Sequence, residues 1–231
     1  MTDDTTSTDA KPVRTVKRDP EGVRRDILSV AMEEFSKNGL SGARIDEIAA
    51  RTKTSKRMIY YYFSDKEGLY QQVLEKAYAK VRGGESGLAL DHLDPAAALD
   101  ALCRYTFEHH RRNPDFIRMV MIENIHHGRH MQMSKTIRSL NRPAIEALEA
   151  VLKRGQETGV FRQGVDALEL HWQISALSFF NVSNAATFSY IFGDGLFTPQ
   201  AQEKLSHHVA EMVLRYVLQP DHMGSIEARG R

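Results

Sequence analysis

Apolar side chains recur at helical spacing along most of the chain, from Gly22 to Tyr216, and this pattern constrains the fold more than any other feature. Residues three or four positions apart lie on one face of an α-helix, so each such stretch predicts a helix with a buried face. No stretch shows the strict alternation of a half-buried strand. The sequence therefore predicts an all-α protein.

Residues that begin and end helices divide this pattern into about nine helices. Ser55 is a good N-cap for a short third helix, and Ser64 with Glu67 has the spacing of a capping box that opens the fourth. The eighth, from Asp166 to about Ser189, is apolar nearly all round and should be covered on two sides. Other boundaries are predicted at Asn38-Gly39, Arg82-Gly83-Gly84, Asp94-Pro95, Asn113-Pro114, Gly159 and Thr198-Pro199, with Pro143 a kink or a late helix start.

Positive charge is concentrated near the N-terminus, although the formal net charge of the chain is only +1. Residues 11–66 hold 13 Lys and Arg side chains against 8 Asp and Glu, whereas residues 83–231 hold 15 against 17. The first 20 or so residues are polar and then basic, without apolar periodicity, which is typical of a disordered arm. This charge distribution is the one that a nucleic-acid-binding surface requires.

Several classes of protein are excluded or disfavoured by what the sequence lacks. Cys103 is the single cysteine, so it forms no internal disulfide and belongs to no zinc finger, and a buried reduced thiol is expected. No apolar run is long enough to span a bilayer and no secretion signal is visible, so a cytoplasmic location is expected. No nucleophile elbow or phosphate-binding glycine loop indicates an enzyme.

The ten histidines suggest a metal site at first sight, but their spacing does not support one. Adjacent residues point about 100° apart on a helix, and only His126 and His130 lie four apart as helical metal ligands do. We therefore expect no metal and no cofactor. Surface positions are expected for the conspicuous histidines, which are His109, His110, His126, His127, His130, His207 and His208.

The most specific motif is IDEIAARTKTSKRMIYYYFSDKEGLY, from Ile45 to Tyr70. Ile59 and Phe63 are four residues apart, which places both on the inner face of a short helix and leaves a basic and aromatic outer face. The Ile48-Ala49 pair, Ser55-Lys56, Ile59-Tyr60 and Lys66-Glu67 complete the pattern. This stretch resembles the signature of the TetR family of bacterial transcription regulators.

The resemblance implies a helix-turn-helix whose third helix enters the major groove of DNA, where Lys, Arg and Tyr contact phosphates and base edges. The chain departs from the usual family pattern in two places. Thr52 and Lys53 stand in the turn where family members usually have a small residue and a glycine, and Arg57-Met58 stands where a Gly-Thr type pair is common. The base preference of the family is therefore not carried over to this chain. By position, the residues expected to contact DNA are Arg44, Thr54, Lys56, Arg57, Met58, Tyr60, Tyr61, Tyr62 and Lys66.

The resemblance also implies a larger helical second domain that binds a small effector and dimerises through the last two helices, the eighth and ninth. A dimer would read a palindromic operator. The implied division is a basic arm over 1–21, a DNA-binding domain over 22–66, a ligand-binding and dimerisation domain over 67–220 and a flexible tail over 221–231. Candidate pocket residues, each with an ordinary core position as the alternative, are Phe107, Met119, Met121, Asn124, Trp172, Phe179 and Phe180.

These patterns favour a ligand-responsive homodimeric repressor that a small molecule releases from its operator. A regulator controlled by a protein partner and a transcriptional activator remain alternatives, and an enzyme is the least supported class. The sequence identifies neither the effector nor the operator.

Overall fold

The computed structural model describes residues 19–224 and is built from α-helices, as the sequence predicts. Within this range there is no strand, and a single isolated bridge joins Phe161 to Leu218. Short 3-10 turns lie at Leu90–His92, Met131–Met133, Asp194–Phe197 and Pro220–His222. The ten α-helices of the described residues are α1 (Pro20–Gly42), α2 (Ile45–Arg51), α3 (Lys56–Phe63), α4 (Lys66–Ser86), α5 (Pro95–Arg112), α6 (Pro114–Ile125), α7 (Lys135–Glu157), α8 (Ala167–Ser183), α9 (Ala185–Phe192) and α10 (Pro199–Val217).

The tenth helix arises because the predicted eighth helix is interrupted at Asn184. The Asn184 N–H closes α8 on the carbonyl of Phe180, and the Asn184 carbonyl then accepts from Phe188 to begin α9. Its side chain donates to the hydroxyl of Ser183, a local bond of the kind that makes asparagine a poor interior helix residue. Hydrophobic periodicity continues through this break, which is why one long helix was predicted.

Several predicted helix ends are confirmed, and two are wrong. Asp94 and Ser55 cap α5 and α3 as predicted, each accepting a backbone N–H three residues on. The capping box at Ser64 is wrong, because Asp65 is the residue that accepts the N–H of Gly68 and begins α4. The helix also does not stop at Arg82-Gly83-Gly84 but continues to Ser86.

Gly84 allows α5 to approach the backbone of α4 rather than ending that helix. A Cβ atom on Gly84 would lie 1.9 Å from the hydroxyl oxygen of Tyr105 on α5. That hydroxyl donates to the carbonyl of Val81 at 3.0 Å. The glycine therefore reflects close helix packing, a requirement that comes from tertiary structure.

At the N-terminal end, α1 begins at Pro20 with Asp19 as its N-cap, so the last two residues of the predicted arm, 20 and 21, belong to this helix. The rest of the arm and the C-terminal residues 225–231 lie outside the described residues. Gly39, at φ 67°, kinks α1 where the sequence predicts its end.

Two main hydrophobic cores hold these helices together. The N-terminal core joins α1 to α4 and includes Phe35, Ile59, Phe63 and Tyr70, while Met119 of α6 reaches into it. The C-terminal core joins α5, α7, α8 and α10. Because α4 packs against both α1 and α7, it links the two cores. Cys103 is fully buried in the C-terminal core, as predicted, and this burial raises the pKa of its thiol.

None of the described helices has both the length and the apolar character needed to cross a membrane.

Candidate nucleic-acid interface and ligand cavity

Helix α3 is held against the N-terminal core by the inner face that the sequence predicts. The side chain of Ile59 is 0% exposed and that of Phe63 is 2% exposed. The Ser55 hydroxyl accepts the N–H of Met58 at 3.2 Å and so fixes the first turn of the helix. With one face anchored, the opposite face of α3 is presented to solvent as a unit.

The structure places the predicted DNA-contacting residues on or beside this exposed face. Tyr61 projects furthest, at 78% exposed, and Tyr60 is 44% exposed. The ring of Tyr61 meets that of Tyr62 edge-on at 5.4 Å, so the two aromatic side chains support one another. Arg44, Lys56, Arg57, Tyr60 and Tyr61 are exposed, and Thr54, Met58, Tyr62 and Lys66 are half-buried.

Two of the lysines are already engaged within the protein. Lys56 forms an ion pair with Asp46 of α2, which orients the start of α3 against α2. Lys66 donates to the carbonyl of Ser41 at 3.3 Å and ties the first turn of α4 to the end of α1. Both pairs are open to solvent and cost little to exchange for a phosphate.

A buried carboxylate that sequence reasoning missed positions the helix-turn-helix. Glu34 of α1 is 8% exposed and accepts the backbone N–H of Arg44 at 3.1 Å and the side-chain amide of Asn38 at 2.9 Å. It thereby fixes the residue that precedes α2. Its position seven residues after Ile27, on the buried stripe of α1, was the signal in the sequence.

The junction between α3 and α4 is unusually tight. The Asp65 N–H donates to the carbonyl of Phe63 at 2.8 Å across Ser64, whose φ of 67° and ψ of −59° form a γ-turn. A Cβ atom on Gly68 would lie 2.3 Å from that same carbonyl oxygen. The turn and the glycine together set the angle at which α4 leaves the recognition helix.

Helices α4 to α8 line a cavity of about 430 Å³ that is open to solvent, in the second half of the molecule. Three of the candidate pocket residues, Asn124, Trp172 and Phe179, line this cavity. Two others, Phe107 and Phe180, line a separate apolar cavity bounded by α8, α9 and α10. The cavity among α4 to α8 is lined by Tyr78, Arg82, His110, Phe116, Val120, Asn124, Asn141, His171, Trp172, Ser175, Ala176 and Phe179.

The remaining two candidates lie elsewhere. Met119 is fully buried in the N-terminal core, where it contacts the helices of the DNA-binding half. Met121 is exposed on α6, at 36% of its surface. The seven residues proposed as one pocket are therefore divided among two cavities, a core and the surface.

The polar groups of the cavity among α4 to α8 were also missed. Arg82 enters from α4, and the expectation that histidines are on the surface is wrong for His110, which is 8% exposed. Burial, followed by the nearby positive charge of Arg82, lowers the pKa of His171 to about 4. Burial and the neighbouring His109 lower the pKa of His110 to about 4 as well. Both imidazoles are therefore neutral near pH 7.

Within the described residues, no three His, Cys, Asp or Glu side chains come together as they would around a metal ion. His130, which has the chelating spacing with His126, instead hydrogen-bonds to the carboxylate of Glu123 at 2.8 Å.

Comparison with known families agrees with this arrangement. Residues 27–73, which contain the helix-turn-helix, match the model described as "Bacterial regulatory proteins, tetR family". Residues 95–213 match a second model, "Tetracyclin repressor-like, C-terminal domain", over about half of the chain. The chain belongs to the tetR family. It is accordingly a DNA-binding transcription regulator, and the resemblance drawn from Ile45–Tyr70 is confirmed.

Two curated relatives match over most of their length. The HTH-type transcriptional repressor NicS of Pseudomonas putida is 35% identical over 192 residues, which cover 83% of this chain and 91% of NicS. The HTH-type transcriptional repressor SCO4008 of Streptomyces coelicolor is 30% identical over 162 residues, covering 70% and 79% respectively.

Solved structures of tetR-family regulators share the fold at lower identity. The fatty acid degradation regulator FadR from Bacillus halodurans has a TM-score of 0.65 at 17% identity, over 86% of this chain and 96% of that one. The ketosteroid transcriptional regulator KstR2 of Mycobacterium tuberculosis has a TM-score of 0.63 at 18% identity, over 85% and 95%. These likenesses support the two-part helical architecture.

Proposed function

We propose that this protein is a homodimeric repressor that binds a palindromic operator through α3 and is released when a small molecule occupies its second domain. The observation that carries the proposal is the placement of α4. Its first turn follows the recognition helix across the tight turn at Ser64, and Tyr78 and Arg82 near its other end line a cavity. At about 1.5 Å per residue, α4 extends roughly 30 Å, so a tilt imposed at the cavity displaces the DNA-binding end.

Dimerisation through α8 and α10, the counterparts of the predicted eighth and ninth helices, is supported by their exposed apolar side chains. Single exposed apolar residues are normal on a protein surface, but a contiguous group marks an interaction site. The short helix α9 adds to the group, since Tyr190 is 92% exposed. Outside the cavity among α4 to α8, the exposed apolar side chains of α8 and α10 are Leu168, Phe180, Met212 and Tyr216.

A second copy is also required by the size of α3. A helix of eight residues contacts few base pairs, so specificity needs two such helices facing half-sites one or more helical turns apart. The basic N-terminal arm, with Lys11, Arg14, Lys17 and Arg18, would add affinity through phosphates. Removal of residues 1–18 should then lower the salt dependence of DNA binding. An unchanged salt dependence would mean that the arm does not contribute to DNA binding.

The repressor proposal is tested by selecting bound fragments from a random DNA pool and measuring binding to the recovered site. We expect a palindrome that the wild-type protein binds specifically and that Tyr61→Ala and Lys56→Ala bind at least about tenfold more weakly, which corresponds to about 1.4 kcal/mol. Lys153→Ala is the matched control, because Lys153 is also an exposed lysine in an ion pair, on α7 and away from α3.

Two results would overturn this proposal. Enrichment of no sequence, with only salt-sensitive binding, would mean that α3 contacts the DNA backbone without reading bases. Equal losses in Lys153→Ala and Lys56→Ala would mean that general charge, and not the face of α3, determines binding.

A further inference from the structure

The residues that line the cavity among α4 to α8 include basic side chains but no acidic ones. Arg82 supplies a positive charge, and His110 and His171 each supply one N–H group and one basic nitrogen, whereas no Asp or Glu is among the residues that line the cavity. A lining with a cation and N–H donors but no carboxylate matches a ligand with anionic oxygen atoms.

The guanidinium of Arg82 is held in place by one lining residue, Asn141, and by Glu85, which does not line the cavity. Its Nε donates to the side-chain oxygen of Asn141 at 2.8 Å, and its Nη1 pairs with Glu85 one turn further along α4. The Arg82 side chain is 16% exposed. These two partners fix the plane of the guanidinium and leave Nη2 as the nitrogen available for a ligand. Because Glu85 already balances part of the charge, Arg82 alone does not account for anion binding.

His110 provides the second observation. Its Nδ1 atom is buried without any hydrogen-bond partner among the described residues, although the residue lines the cavity. An unsatisfied buried polar atom costs about 1 to 3 kcal/mol, so a ligand group that reached this nitrogen would recover part of that cost.

The walls around these polar groups are flat and aromatic. The ring of His110 is stacked on Phe116 at 6.1 Å with an interplanar angle of 1°, and Phe179 meets it edge-on at 6.5 Å. Tyr78 meets Phe116 edge-on at 5.3 Å. Trp172 stands at the open side of the cavity and is 69% exposed. This arrangement suits a planar ring with a polar group at one end.

We propose that the cavity binds a small aromatic carboxylic acid, with the carboxylate on Arg82 and His110 and the ring among Phe116, Phe179 and Trp172. This proposal rests on the proposed function in taking the cavity as the effector site, and it adds the chemical class of the effector. The cavity volume of about 430 Å³ accommodates one or two fused rings.

Binding of an acid here is linked to proton uptake. The charged groups around His110 are Arg82 from α4, His109 beside it on α5 and His171 from α8, with Lys80 near His109 and Glu85 paired to Arg82. All three imidazoles have a lowered pKa of about 4 in the empty protein. A bound carboxylate raises the pKa of the histidine that it contacts, so the acid binds more tightly as the pH falls from that raised value toward about 4, by up to about tenfold per pH unit for each proton taken up.

Trp172 is the single tryptophan of the chain, so its fluorescence reports occupancy directly and without DNA. The probes are three acids, benzoate, phenylacetate and indole-3-acetate, each compared with its own amide. We expect at least one acid to bind about tenfold or more tightly than its amide at pH 6, and the preference to decrease toward pH 7.5. The proposal is overturned if no acid binds more tightly than its amide.

Variants separate the ligand contact from folding. Arg82→Gln should reduce the preference for the acid to less than about threefold, and the double variant R82Q/E85Q should do the same while removing the carboxylate that the single change leaves unpaired. His110→Gln should abolish most of the pH dependence. Arg111→Gln, an exposed arginine paired with Glu108 on α5, is the matched control and should leave the preference unchanged. A preference that survives in R82Q/E85Q overturns the proposal.

The two proposals fail in different ways. An acid that quenches Trp172 fluorescence with the expected selectivity, but leaves operator affinity unchanged, supports the ligand class and overturns effector release. A neutral amide that displaces the operator while its acid does not bind supports release and overturns the ligand class.

Discussion

The carboxylate of Glu123 accepts four hydrogen bonds in the interior, and replacing it tests how α4, α6 and the loop before α7 are held together. The side chain is 2% exposed. It accepts from the Tyr70 hydroxyl at 2.9 Å, from the His130 ring at 2.8 Å, and from the backbone N–H groups of His130 and Met131 at 3.2 Å each. These bonds join α4 to α6 and to the loop that leads into α7.

The expected size of the effect follows from the four bonds. A hydrogen bond to a charged group contributes about 1.5 to 3 kcal/mol, and desolvation of the carboxylate offsets much of that sum. Glu123→Ala leaves the Tyr70 hydroxyl and two backbone N–H groups unpaired in the interior, so we expect a loss of about 3 to 5 kcal/mol in the free energy of unfolding. Glu123→Gln turns one acceptor oxygen into a donor and should cost about 2 to 3 kcal/mol.

The assay is urea denaturation followed by circular dichroism and by Trp172 fluorescence, with Tyr70→Phe measured alone and combined with Glu123→Gln. We expect a coupling energy of about 1 kcal/mol or more between the two changes, because Tyr70→Phe removes the hydroxyl whose charge-assisted bond Glu123→Gln weakens. Glu146→Gln, an exposed glutamate paired with Arg142 on α7, is the control and should change stability by less than about 0.5 kcal/mol. A Glu123→Ala variant that loses no more than this control would refute the reasoning.

Three further predictions concern single positions. Lys53 has a φ of 50° in the turn of the helix-turn-helix, so Lys53→Gly should raise the free energy of unfolding by about 0.5 to 1 kcal/mol, whereas Lys53→Ala should not. Gly68→Ala should lower the free energy of unfolding by about 1 to 3 kcal/mol, since the new Cβ meets the backbone carbonyl of Phe63. Denaturant titration measures the effects of the Lys53 and Gly68 substitutions. His110 has a folded-state pKa of about 4, below the usual value of 6.5, so the unfolded chain binds more protons between these values. Stability should therefore decrease as the pH falls from about 6.5 to 4, and His110→Gln should flatten that decrease in thermal melts at several pH values.

The helical fold and the recognition helix were predictable because they depend on local signals. Periodicity and capping residues such as Ser55 and Asp94 act within a few positions of one another, and the structure confirms both caps. The γ-turn at Ser64 and the continuation of α4 through Gly84 were not predictable in this way. Each depends on how a neighbouring element packs, which spacing along the chain does not record.

The cavity was predicted poorly for a related reason. Large apolar residues were chosen as pocket candidates, but such residues fill cores as readily as pockets, and Met119 does so here. The polar groups were the better signal. His110 follows Leu99, Cys103 and Thr106 on the buried stripe of α5, and a histidine on a buried stripe requires a partner.

The central claim is that one dimer places two recognition helices on successive turns of DNA and that a ligand changes their separation. A spin label on Lys37→Cys, an exposed position of α1, tests it by pulsed electron resonance, because the native Cys103 is buried and should not react. We expect a measurable distance between the spin labels of the two subunits. Operator DNA should narrow the distribution of that distance to a single population, in which the two α3 helices lie roughly 34 Å apart. A bound acid should shift the distribution away from that population. The absence of an intersubunit distance, or one that neither operator nor acid changes, would contradict the central claim.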